Sequence, residues 1–244
     1  MKLRVSYSIY LLQSIVFLVE EKPMEHSHHT MPKATGFHLK LKEGTQALHD
    51  QAESGNFQER MVTGELARFE FARFLCQMKH IHEDLDPCLE EAASTDHRVS
   101  EIFNPTHKRL HRIEQDLIDL GTDSTDDPLP STLKFKSYIK EKLHEAPYSL
   151  IGILYVKEGA TNGNKFIAKK LRETMGLDHD KAMGYLDPHG KEQRKCWNKF
   201  KETLNELNLN ESEEQNCVKV AQDTFQMFMD VSREVSELAP VAAD

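Results

Sequence analysis

Residues 64–93 read GELARFEFARFLCQMKHIHEDLDPCLEEAA, and their spacing decides the fold class. Leu66, Phe69, Phe71, Ala72, Phe74, Leu75, Met78, Ile81, Leu85 and Leu89 recur three and four apart, the period of a helix with an apolar face. The spacing predicts a long helix ending near Ala93. The same period recurs outward from it. Upstream, His38 to about Ser54 carries Leu41, Thr45, Leu48, His49 and Ala52 on one side. Downstream, Leu110, Ile113, Leu117 and Leu120 trace a helix stopped by Gly121, and residues 122–130 form a polar loop that ends in Pro128 and Pro130. Leu133, Phe135, Tyr138, Ile139 and Leu143 follow, and Pro147 resets the chain. Leu150 to Met175 reads as a helix interrupted by glycines, and the last two helices span 197–207 and 218–235. Strand alternation and internal repeats are both missing from the pattern. The reading is all-α, a single compact multi-helix domain over residues 37–240.

Composition agrees. Gly and Pro number only 11 and 9 of 244 residues, too few for a turn-dense or collagen-like chain. The net charge of −9 excludes a broad basic face, and with it nucleic acid as a partner. Cys76, Cys88, Cys196 and Cys217 form no C-x-x-C pair or zinc spacing, which suits a reducing, cytoplasmic setting. Residues 1–36 differ from the rest. An apolar run from Ile9 to Val19 follows Lys2 and Arg4, but it is shorter than the ~20 residues of a membrane span and no small-residue cleavage site follows it. The expectation is an N-terminal extension outside the fold, with an incidental His26-Ser27-His28-His29 cluster and no stable membrane span.

Three groups of residues carry chemistry. In LKEGTQALHDQAE (41–53), residues seven and four apart share a stripe, so Lys42, His49 and Glu53 line one face. A neutral imidazole there can ligate a metal while a carboxylate holds its other N–H, and a lysine can receive an anionic group nearby. An ordinary amphipathic helix with a half-buried histidine fits the same spacing. In YVKEGATNGNKFIA (155–168), Gly159 and Gly163 fall on the same helix face, where bare backbone lets something flat approach. The Asn162-Gly163 dipeptide equally suits a turn between two helices. In WNKFK (197–201), followed by Phe225 and Phe228, the aromatics can wall an apolar pocket and Lys201 can reach an anionic edge; plain helix packing with solvated lysines explains them too.

Weaker signals add little. Glu141-x-x-His144 has the spacing of a di-iron ligand pair, but its only counterpart is Glu25-x-x-His28 near the N-terminus. His80, His82 and Glu83 read as a solvated helix face. The sequence contains no G-x-S-x-G, P-loop, G-x-G-x-x-G or H-E-x-x-H.

With these residues in hand, the sequence resembles the heme oxygenases. LKEGTQALHDQAES (41–54) is similar to the family's proximal-helix pattern, and EGATNG (158–163) to its distal-helix glycine pattern. The resemblance continues through RFEFARFLCQMKHIHEDLDPCLEEA (68–92) and AQDTFQMFMDVS (221–232). It implies heme between a proximal helix (about 39–54) and a glycine-kinked distal helix (about 148–174). By the match, His49 is the axial iron ligand, Glu53 its hydrogen-bond partner and Lys42 a propionate contact; Gly159 and Gly163 lie over the heme face where oxygen binds. Lys201 matches a second propionate contact only loosely.

Two departures stand out. Many family members carry an aspartate after the first distal glycine, holding water for proton delivery; here the residue is Ala160. Asn164 stands where a second glycine is common. Thr161, Asn162 or Asn164 is expected to organise a substitute water chain. The resemblance implies oxidative cleavage of heme to biliverdin with release of carbon monoxide and ferrous iron, heme being both substrate and cofactor. Molecular oxygen is consumed, and an external reductase or ferredoxin supplies electrons. The alternatives are a non-catalytic heme carrier or sensor on the same scaffold, and a helical interaction protein with no porphyrin site.

Overall fold

The computed structural model describes residues 35–122, 126–178 and 181–238, and all of them belong to one compact unit. The apolar run before Glu20, the histidine cluster and Glu25-x-x-His28 lie outside the described residues. Nine α-helices are present among the described residues: α1 (Gly36–Glu53), α2 (Asn56–Thr63), α3 (Arg68–Thr95), α4 (His97–Ile102), α5 (Leu110–Asp119), α6 (Pro130–Glu145), α7 (Leu150–Met175), α8 (Gln193–Glu206) and α9 (Glu211–Glu237). Short 3₁₀ turns at Pro105–His107, Pro147–Ser149 and Gly190–Glu192 join some of them, and the described residues contain no strand. No described helix is long and apolar enough to cross a membrane. Cys76, Cys88, Cys196 and Cys217 are not joined in disulfides, and three of them are buried.

Local chemistry sets the helix ends. The Ala67 N–H donates to Glu70 Oε2 at 3.0 Å, so the first turn of α3 is tied back on its start, and Arg60 holds the other oxygen at 2.7 Å. Pro130 opens α6, where its missing N–H costs nothing. Asn210 accepts from Glu213 N at 3.1 Å and starts α9, which carries three glutamates in its first turn. Gly64, Gly121 and Gly176 close α2, α5 and α7 from left-handed φ values of 76°, 66° and 63°.

Two differences from the sequence reading concern α2 and α7. Residues 56–63 form a helix that the apolar period did not mark. The stretch from Leu150 to Met175 runs as one unbroken helix through Gly159 and Gly163, so the turn at Asn162-Gly163 is overturned. Every residue from Leu150 to Val156 is buried, and so are Lys157 and Glu158. Packing on this scale outweighs the ~1 kcal/mol that each interior glycine costs.

Helix α9 is the common wall: α1 and α7 pack along it more than on each other. At Gly152 the contact is backbone to backbone, since a Cβ there would lie 2.4 Å from Cys217 O and 2.9 Å from Ala221 N. Gly152→Val is therefore expected to destabilise the fold by at least about 2 kcal/mol, a drop of roughly 5 °C in Tm, by forcing α7 off α9. Thermal unfolding followed by circular dichroism checks this, and an unchanged Tm contradicts it.

A strap over residues 181–189 is bonded to α5 and α7. Ala182 and Met183 hold positive φ values of 48° and 69°, a conformation that side chains rarely adopt. Their surroundings compensate. Asp119 accepts Ala182 N at 2.8 Å, Asp116 accepts Gly184 N at 2.7 Å and Tyr185 N at 2.8 Å, and Arg172 donates to the carbonyls of Lys181 and Ala182. The strap carries Tyr185 and Leu186 inward.

Candidate functional site

The C-terminal half of α1 sets His49 beside α9, its ring edge-on to Phe225 with centroids 6.0 Å apart. The side chain is 41% exposed. Nε2 faces Glu53 Oε1 at 3.7 Å and Nδ1 faces Asp50 Oδ1 at 3.7 Å, both too long for a hydrogen bond. Nδ1 is nonetheless screened from solvent and has no hydrogen-bond partner. The helical stripe has thus brought His49 and Glu53 together at ion-pair distance, with one ring nitrogen left unsatisfied. Burial pushes the Glu53 carboxyl upward, and the neighbouring His49 opposes that shift.

A cavity of about 600 Å³ opens next to this pair, within the 300–1,000 Å³ range of small-molecule sites. The end of α1 (Gln51, Ala52), Phe57 of α2, and Ala160, Thr161 and Asn164 of α7 bound it, and Phe225 is part of its wall. Neither distal glycine lines it directly, and nor does His49. A Cβ added at Gly163 would meet nothing within 4 Å, while one at Gly159 would meet only Trp197, at 3.5 Å. Bare backbone at these two positions therefore answers no packing demand inside the protein comparable with that at Gly152.

Helix α8 brings Trp197 and Lys201 to the edge of α1. Trp197 stacks on Phe200 at 5.6 Å and meets His38 and Tyr155 at 5.9 Å, while Lys201 Nζ lies 5.9 Å from the Trp197 ring. Burial, followed by the charges of Lys201 and Lys42, lowers His38 to about 4. Burial also lowers Lys201, with Arg194 and Lys42 adding to the effect. Lys42 and Lys201, 159 positions apart in sequence, thus share one electropositive corner with Arg194, which the sequence did not single out. Its aromatic floor is helix packing: neither Trp197 nor Phe200 lines the cavity, whereas Phe225 and Phe228 do.

The residues expected to replace the carboxylate at Ala160 are mostly committed elsewhere. Thr161 Oγ1 donates to Glu158 O at 2.6 Å; Asn162 donates to Gly159 O at 2.9 Å and accepts from Gln193 at 3.2 Å. Only Asn164 among the unbound candidates reaches the cavity.

Sequence reasoning missed a buried ionic network behind the cavity. Lys157 Nζ donates to Glu158 Oε1 at 2.7 Å and to the His107 carbonyl, and Arg109 Nη2 bonds the same Glu158 oxygen at 2.8 Å. His189 Nε2 meets Glu158 Oε2 at 2.9 Å. Burial lowers Lys157 to about 8, whereas its cationic neighbours overcome burial and hold Glu158 well below the usual carboxylate range. The solvated face expected at residues 80–83 also needs correction, because His82 is completely buried. Both Arg109 and Lys157 border the cavity, adding buried charge to a wall that also carries Gln51, Asn56, Gln58, Thr161 and Asn164.

The model of the heme oxygenase family matches residues 35–234. The chain belongs to that family. It is 24% identical over 210 residues to heme oxygenase 1 of Homo sapiens, covering 81% of this chain and 71% of that one. To heme oxygenase 1 of Synechocystis it is 22% identical over 201 residues, covering 80% and 82%. Among solved structures, heme oxygenase-2 from Synechocystis in complex with heme and NO superposes with a TM-score of 0.78 at 20% identity, covering 83% of this chain and 86% of that one. The heme oxygenase from Leptospira interrogans gives 0.76 at 22% identity, covering 82% and 100%. These structures share the all-α heme oxygenase fold, in agreement with the helical reading of the sequence.

Proposed function

We infer that this family member is a heme oxygenase in which His49 holds the iron and the Gly159–Gly163 segment roofs the opposite face. The observation that carries this reading is the screened, unpartnered nitrogen of His49, one turn from Gln51 and Ala52, which line a cavity also walled by Ala160, Thr161 and Asn164 of α7. A buried polar atom without a partner is costly, and a metal bond is one way to satisfy it. Heme is the substrate and also supplies the oxygen chemistry; with molecular oxygen and electrons from an external reductase or ferredoxin, it is opened to biliverdin, carbon monoxide and ferrous iron.

The chain's own residues orient and protect. Asp50 and Glu53 face the two ring nitrogens of His49 at the same 3.7 Å, so either carboxylate can favour a proton on its side and leave the other nitrogen as the lone pair for iron. Lys42 and Lys201, which with Arg194 act on one another electrostatically, are the cations suited to receive propionates. The bare backbone at Gly163 leaves room for a flat ring to approach α7. Ala160 offers no carboxylate, so proton supply must come from elsewhere in the cavity wall. A cytoplasmic location fits four cysteines that form no disulfide. The family match does not favour a non-catalytic carrier.

Hemin titration of the protein should give a saturable Soret shift. Addition of a reductase or ascorbate in air should then bleach the Soret band as biliverdin absorbance rises. A complex that forms but keeps its spectrum through many minutes of reduction would return the carrier reading.

A further inference from the structure

Helix α3 carries a buried pair for which the heme-binding account has no use. His82 Nδ1 meets Asp86 Oδ1 at 2.8 Å, and Asp86 Oδ2 accepts the N–H groups of Arg109 and Leu110 at 2.8 and 2.9 Å. The side chains of His82 and Asp86 are 0% and 6% exposed. An ionised carboxylate at Nδ1 fixes the proton there, so Nε2 carries a bare lone pair. That Nε2 is buried and has no hydrogen-bond partner. Burial, opposed by Asp86 and assisted by the charges of Lys157 and Arg109, lowers the imidazole pKa and keeps the ring a neutral acceptor.

The surroundings say what this acceptor serves. The His82 ring packs edge-on against Tyr185, centroids 5.8 Å apart, and both Tyr185 and Arg109 border the cavity. Burial pushes the Tyr185 phenol upward, so it stays a hydroxyl donor. By contrast, Lys157, Glu158, Arg109 and His189 already bond one another. An internal water needs two to four polar partners in a polar site, and the bare acceptor of a ring packed against Tyr185 supplies one of them.

We propose that His82 is a positioning residue for cavity water: its Nε2 accepts a hydrogen bond from an internal water shared with Tyr185, and Asp86 holds the ring for that purpose. This ordered water lies beside Tyr185 at the cavity wall and takes over solvent ordering that Ala160 has no carboxylate to perform. The role in turnover rests on the heme oxygenase reading, whereas the water contact stands independently of it.

The test has two arms. In the heme-free protein, nitrogen NMR should show His82 protonated at Nδ1 and hydrogen-bonded at Nε2, with a cross-peak to a long-lived water that disappears in Tyr185→Phe. In the heme complex, His82→Phe and Tyr185→Phe should each slow biliverdin formation about tenfold, with hemin affinity within about twofold of wild type. His82→Gln, which restores a side-chain acceptor, should recover most of the rate. Where His82→Phe fails to fold, Tyr185→Phe carries the rate comparison. Absence of the water cross-peak in the wild-type protein overturns the proposal, as does a wild-type rate in Tyr185→Phe or in folded His82→Phe. Failure to bind hemin at all instead removes the heme reading, and the nitrogen spectrum still decides the water.

Discussion

His49→Ala is expected to abolish biliverdin formation while the helical fold survives. The structural cost should be small. The ring is 41% exposed, its contacts are one edge-on packing with Phe225 and two long ion-pair distances, and neither nitrogen makes a hydrogen bond that the fold depends on. Surface substitutions of this kind stay within about 0.5 kcal/mol, and alanine is the better helix former. The functional cost should be complete, because the neighbouring carboxylates of Asp50 and Glu53 are poor substitutes for an imidazole on heme iron. Circular dichroism should give an unchanged melting curve, and single-turnover spectroscopy should show no product. Added imidazole should restore part of the rate by entering the space the side chain leaves. Full activity in the alanine variant would remove His49 from the axial position.

The second large effect is at Gly163, where stability and binding should move in opposite directions. A Cβ there meets no protein atom, so Gly163→Leu gains helix propensity of up to about 1 kcal/mol and should leave Tm equal or higher. The same side chain fills the space beside Asn164 that a flat ring must use, and hemin affinity should fall at least about tenfold, equivalent to ~1.4 kcal/mol. Were the glycine merely tolerated in the helix, leucine would leave hemin binding alone. Gly159 gives a less clean comparison because its added side chain runs into Trp197.

The helical class and the Lys42/His49/Glu53 stripe were legible because both depend on spacing within one helix. α1 and α3 show the 3.6-residue period, and the positions seven and four apart needed no knowledge of the rest of the chain. The short α2 was not legible: eight residues between two glycines hold too few apolar positions to show a period. Gly159 and Gly163 were ambiguous for a different reason. Their local preference favours a turn, and what overrides it is the burial of Leu150 to Glu158 against helices distant in sequence. His82 was misplaced because His80 and Glu83 beside it look like a wetted face; its partner Asp86, one turn on, was a visible signal that was passed over. The Lys157–Glu158–Arg109 network lay beyond sequence reasoning, since its two halves are 49 positions apart and meet only once α7 is seated.

The structure of the protein bound to heme is the most direct test of the account. The account predicts iron bonded to a ring nitrogen of His49, with the backbone of Gly159 to Gly163 across the opposite face and the propionates toward Lys42 and Lys201. Iron held by another side chain, or a porphyrin seated away from the cavity between α1 and α7, would contradict it.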